Sequence, residues 1–336
     1  MSSSLISAQP EKILRALGEV WTSLGEEERH QGKPTVLRAC AMTLIVVTDE
    51  EDEESGSVSQ ILVELMHAHP SRAIVLRSDR NADNGLSARV FAQCWKPFGK
   101  AQQICCEQIE VAAHPDRWPD VGPTVLGIVV PDLPVVVWCR MRSALQTSAV
   151  ASRHSSLAPV LGLATKIIVD TRGADLKQAF TVLREWKSAG HLIGDLEWTR
   201  TTPWRETIAT VFDENPALLK PSSFSSIEIT YSGGSAPASA LYLAGWLRQG
   251  ITAKSSFHPE DGVESGLTRV TLAGEQVIDL SRTGPTCLKL RVGDQEQRVS
   301  LAGSSFYELM HEELTVLGQD PVFDAAFDRM DESYRS

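Results

Sequence analysis

Apolar positions along this chain recur with two distinct periods. Ile13, Leu14, Leu17, Val20 and Trp21 stand at helical spacing with charges between them, which predicts a helix over residues 10–28. Gly32-Lys33-Pro34 ends it. Residues 35–48 are nearly continuous in Val, Ile and Leu, as expected of a strand covered on both faces. Val58, Ile61, Leu62, Leu65 and Met66 then trace one helix face, with Ser55 or Ser57 as N-cap. That helix stops before His69-Pro70, because the residue preceding a proline is pushed out of helical space. Residues 73–76 form the next buried strand. Strand, helix and strand make a unit whose strands run parallel with a right-handed crossover.

Two strands follow, near 88–95 and 102–112, separated by Pro97, Gly99 and polar residues, the signal of a hairpin. A turn between Gly99 and Lys100 sets residues whose numbers sum to 199 opposite each other, so Cys94 faces Cys105. Pro115, Pro119 and Pro123 break the chain before a short buried strand at 135–139. Residues 141–164 read as partly helical, and 165–170 as one more strand. Beyond them, helices are expected at 174–188, 203–213 and 237–248, with a strand around Ile227, Ile229 and Tyr231. Short strands near 251–257, 267–273, 276–281 and 286–292, with 297–301 as a fifth, carry glycine-rich turns and one wet face. A helix at 304–317 is expected to cover the dry face. The fold class is therefore α/β: a helical segment (1–34) and a mixed-sheet α/β domain (35–170), then an α+β domain with an antiparallel meander (171–318). An acidic tail (319–336) is expected at the surface.

Composition narrows the function. With 42% hydrophobic and 22% charged residues the chain is an ordinary globular one, not a disordered one. The net charge of −11 gives no electrostatic support for a nucleic-acid partner. Apolar runs fall short of the roughly 20 residues a membrane helix needs. Residues 1–9 hold no lysine or arginine and no long apolar run, so no secretory signal is read there. The six cysteines (Cys40, Cys94, Cys105, Cys106, Cys139, Cys287) are too scattered for a disulfide framework, and no Cys-x-x-Cys pair suggests zinc. The expectation is a reduced, cytoplasmic protein.

Catalytic and cofactor motifs are missing. The loop after the first buried strand runs Asp49-Glu50-Glu51-Asp52-Glu53-Glu54, which repels phosphate, and no G-x-G-x-x-G or P-loop occurs. No nucleophile elbow and no H-E-x-x-H is present. His67 and His69, two apart at a helix end, are a weak metal pair. No catalytic residue, cofactor or metal is assigned. Two features carry alternatives. Cys94, Cys105 and Cys106 are either small buried hydrophobes or redox-sensitive thiols. Trp198, Arg200, Trp204 and Arg205 lie within eight residues; they are either core and loop anchors or a partner contact, since Trp and Arg are frequent in interface hot spots.

Four segments in order resemble the OpcA family, the glucose-6-phosphate dehydrogenase assembly proteins. They are residues 69–76 (HPSRAIVL), 103–109 (QICCEQI), 131–138 (PDLPVVVW), and 195–200 with 203–206 (DLEWTR, PWRE). The resemblance spans about residues 35–300 and departs from the family at Trp138-Cys139-Arg140, where Trp-Trp-Arg is common. It implies a non-catalytic partner that binds glucose-6-phosphate dehydrogenase, promotes its active oligomer or raises its substrate affinity; members in photosynthetic bacteria are associated with redox control of that enzyme. It supplies no catalytic or ligand residues. The alternative is a sugar-phosphate or nucleotide-binding α/β enzyme or module, with its site beyond the carboxyl ends of the strands.

Overall fold

The computed structural model describes residues 5–30, 36–48, 58–79, 85–97, 102–146, 157–220, 223–262, 265–301 and 305–335. The chain divides into two compact units. One comprises Met1–Asp170, Ala174–Gly194 and Met310–Gly318; the other comprises Thr171–Gly173, Asp195–Leu309 and Gln319–Ser336. The helix expected at 174–188 as the start of the second domain therefore belongs to the first unit.

The first unit is built on β1 (Ile6–Ser7), β2 (Leu37–Arg38), β3 (Met42–Thr48), β4 (Ser71–Ser78), β5 (Leu86–Trp95), β6 (Ile104–Ala113), β7 (Val135–Cys139), β8 (Lys166–Val169) and β9 (Leu192–Asp195). Their order in one sheet is β1-β5-β6-β4-β3-β7-β8-β9, with β2 against β6. β6, β4, β3, β7 and β8 are mutually parallel, and their mostly buried residues are apolar apart from a few charged and polar side chains in β4, β6 and β8. Every residue of β3 and β7 is buried. The helices are α1 (Pro10–His30), α2 (Val58–Ala68), α3 (Val121–Leu126), α4 (Ala158–Leu161) and α5 (Leu176–Ser188). The five apolar positions expected on one face of α2 are the five it buries. β5 and β6 form the expected hairpin, in the register that sums to 199 from Leu86↔Ala113 to Cys94↔Cys105. The turn at Gly99-Lys100 and the acidic run 49–54 lie outside the described residues.

The second unit holds α6 (Leu196–Thr199), α7 (Thr202–Glu214), β10 (Phe224–Ser232), α8 (Ala238–Leu247), β11 (Lys254–Glu260), β12 (Gly266–Gly274), β13 (Ile278–Gly284), β14 (Cys287–Val292) and β15 (Gln295–Ser300). Its sheet runs β11-β10-β12-β13-β14-β15. All neighbours are antiparallel except β10 and β11. The dry face packs on α7 and α8 through Trp204, Ile208, Val211, Phe212, Leu243 and Leu247. The helix expected to cover this face, α9 (Phe306–Glu313), contributes nothing to that core.

The acidic tail is a helix, α10 (Pro321–Arg335). Its Phe323, Ala326, Phe327 and Met330 are buried while Asp328 is exposed, so its apolar stripe docks. α10 lies on α8, whose Gly245 has no room for a Cβ against the Ala326 carbonyl. The tail expected at the surface thus has one packed face, a stripe of four residues that its acid content masked.

On the wet face of the second sheet Asp279 accepts two bonds from Arg269, at 2.6 and 2.8 Å, and faces Arg291 at 3.4 Å. Burial raises the pKa of this carboxyl, but the bonds from Arg269 and Thr271 and the charge of Arg291 outweigh it and hold it below the ordinary 3.8. The stabilisation it supplies is therefore complete above that value and lost as pH falls through the lower, folded one. Acid unfolding of Asp279→Asn is expected to lack this component; an unchanged slope of stability against pH in that window contradicts it.

Candidate functional site

The chain turns from strand to helix at Asp195, and that residue organises the segment singled out by sequence. Its side chain caps α6 by accepting the Glu197 N–H at 3.0 Å. It also accepts the Thr171 N–H at 3.1 Å, the Thr171 hydroxyl at 2.6 Å and the Tyr242 hydroxyl at 2.7 Å. Asp195 is 0% exposed, so four donors meet one carboxylate out of reach of water. Glu197 is equally enclosed. It accepts from Arg172 and Arg200, both at 3.0 Å, and from the Ser239 N–H at 3.3 Å. Both carboxylates are acceptors with their bonding capacity directed at the protein itself.

The four contact candidates sort by burial. Trp198 is buried, donates to Asp320 at 3.3 Å and packs on Tyr242 and Phe323. Trp204 is buried in the core over the second sheet. The Arg200 side chain is 9% exposed and committed to Glu197. Arg205 is half-buried; its guanidinium lies 3.6 Å from the Trp198 ring and donates to Thr201 at 2.9 Å and Thr202 at 2.7 Å. The segment thus does not present a tryptophan–arginine patch. α8 and α10 close over one indole and the sheet over the other, leaving Arg205 as its accessible member.

Cys94 and Cys105 are joined by a disulfide across the β5–β6 hairpin, which corrects the expectation of a fully reduced chain. The alternation of a strand sends Cys106 to the opposite face. There it is buried, 3.3 Å from the Ala39 carbonyl, and burial pushes its pKa up to about 11. A thiol held protonated at neutral pH is a poor nucleophile, so Cys106 does not suit a redox role. Denatured without reductant, the chain is expected to show four titratable thiols, and six after reduction. Six in both cases excludes the bond. His67 and His69 diverge, one against the Trp95 ring and the other bonded to His311 at 3.0 Å, so they do not form a metal pair.

Sequence reasoning missed the buried ions. Glu107, inside β6, accepts from Arg72 at 2.7 Å, Arg38 at 2.8 Å and the Trp21 indole at 2.6 Å. Lys166, inside β8, donates to Glu313 at 2.7 Å and to the Val316 carbonyl at 2.6 Å. The available signal was a charge interrupting an apolar strand, as in Ser71-Arg72-Ala73. At the carboxyl end of β4 a cavity of about 720 Å³ is lined by Arg77, Arg89, Asp79 and Glu110 among others. Two cations against two carboxylates give it no preference for a phosphate. Among the described residues no group of three or more His, Cys, Asp or Glu is arranged to hold a metal ion, and no helix is long and apolar enough to cross a membrane.

Comparison with known proteins agrees with the motifs. Residues 63–185 match the model of the glucose-6-phosphate dehydrogenase subunit N-terminal domain, and 191–327 that of the subunit's C-terminal domain. The chain is 26% identical over 259 residues to the OpcA protein of Synechocystis sp., covering 74% of this chain and 51% of that one. It is 25% identical over 221 residues to OpcA of Nostoc punctiforme, covering 64% and 45% respectively. The chain thus spans about half the length of the curated relatives it matches. Among solved structures, glucose-6-phosphate 1-dehydrogenase from Mycobacterium avium aligns over 88% of this chain and 91% of its own at 10% identity, with a TM-score of 0.47. With both halves matched by paired domain models and relatives of one name, the chain belongs to the OpcA family of glucose-6-phosphate dehydrogenase assembly proteins.

Proposed function

We propose that this chain is a non-catalytic assembly factor and allosteric activator of glucose-6-phosphate dehydrogenase, acting by protein–protein contact. The carrying observation is that the two halves match the N- and C-terminal domains of a glucose-6-phosphate dehydrogenase subunit. The chemistry of the site supports it: Asp195 and Glu197 are spent on internal donors, and the tryptophans are structural.

An activator of this kind works by binding the active state of its partner more tightly than the inactive one. A preference of about 1–3 kcal/mol changes activity by roughly 5–150-fold, and needs only surface area. Steady-state kinetics and size-exclusion chromatography of the dehydrogenase, with and without this chain, test the reading. A lower KM, a higher kcat or a larger assembly is expected; no change in any of them refutes it. Within the contact, Arg205 is the proposed member of the 198–205 segment, so Arg205→Ala is expected to weaken activation while leaving the fold intact.

A further inference from the structure

The second sheet ends in two edges, and they differ. β11 carries Pro259, which has no N–H to offer a neighbour. β15 (Gln-Glu-Gln-Arg-Val-Ser) has no proline, and its pairing with β14 runs from Val292↔Gln295 to Cys287↔Ser300 with no bulge. Five of its six residues are exposed and the sixth, Val299, is half-buried. Edges of this kind are templates for adding another strand unless charge, bulge or proline prevents it.

The backbone phase is readable. The Leu301 N–H donates to the Thr286 carbonyl at 2.8 Å, which makes 286 and 301 a hydrogen-bonded pair. Such pairs alternate along an antiparallel ladder, so Val299, Gln297 and Gln295 point their backbone groups at β14. The N–H and C=O of Glu296, Arg298 and Ser300 point outward from the edge.

The charges on that edge are incomplete within the chain. Arg298 stands opposite Lys289, a like charge, and has no ion-pair partner among the described residues. Glu296 binds Lys289 at 2.8 Å. A second β15, antiparallel about a two-fold axis through Gln297, sets Glu296 of each copy against Arg298 of the other. Those are the residues with outward backbone groups, so each such pair also exchanges two backbone hydrogen bonds. Centring the axis on 296 would oppose two glutamates, and centring it on 298 two arginines, which like-charge repulsion disfavours. On the other face Gln297 lines two adjoining cavities of about 350 and 330 Å³ beside α7, with space for side chains of an added strand.

From this we infer that β15 is a self-complementary docking edge, and that its occupant is a second copy of this chain. The inference is independent of the dehydrogenase. Strand-edge contacts are small and weak, so light scattering is to be measured on the full chain up to about 100 μM. The expected mass rises toward twice 36.7 kDa. Arg298→Glu and Glu296→Arg are each expected to weaken association by about tenfold or more. An equimolar mixture of the two variants pairs Glu with Arg at both positions and is expected to associate again, as is the double variant carrying both changes. Arg298→Pro, which removes an outward N–H and no bond to β14, is expected to abolish association with the fold retained by circular dichroism. A monomer at every concentration overturns the inference, as does a dimer indifferent to these charges.

Discussion

Asp195→Ala is expected to destabilise the second unit by about 4 kcal/mol and to lower its unfolding midpoint by about 10 °C. The substitution leaves the hydroxyls of Thr171 and Tyr242 and two backbone N–H groups without their acceptor in a place closed to water. Each stranded donor costs about 1–3 kcal/mol, and rotation of the hydroxyls recovers part of this. Asp195→Asn keeps the shape but turns an amide NH₂ toward donors, so it is expected to fall between alanine and wild type. Tyr242→Phe removes donor and bond together but leaves the charge with three partners, and is expected to cost about 1 kcal/mol. Calorimetry on the three variants checks the order. A melting curve for Asp195→Ala that overlays wild type would show that the network contributes no stability.

The second large effect is expected in the first unit. Glu107→Ala strands Arg72, which is 7% exposed and also donates to the Ile128 carbonyl at 2.6 Å. Breaking one side of a buried pair costs about 3–5 kcal/mol, because the other charge stays buried without its counter-ion. Arg38 is half exposed and adds little, since solvent screens it. Changing Arg72 and Glu107 together to methionine removes both charges and is expected to recover most of the loss. Denaturant unfolding distinguishes the cases: if the double variant is no more stable than Glu107→Ala, packing rather than charge governs the site.

Much of the fold was legible because its elements carry local signals. The α2 face, the all-buried β3 and β7, and the register of the β5–β6 hairpin follow from periodicity and one turn. α10 was not, because four apolar residues among many acids give a stripe that matters only once α8 offers a surface to receive it. β9 and α6 escaped for a similar reason: each is four residues long, and the Asp195 cap that joins them is completed by Thr171 and Tyr242.

Sequence alone determined the periodicity of helices and strands, the pairing of Cys94 with Cys105 by hairpin arithmetic, and the family motifs. Those depend on neighbours along the chain. Tertiary structure decided that the two thiols are bonded, that Trp198 and Trp204 lie inside, and that Asp195, Glu107 and Lys166 are buried ions. Burial and counter-ions come from residues tens to more than a hundred positions away, as in Tyr242 to Asp195 or Glu313 to Lys166, and no local pattern records which distant donor will arrive.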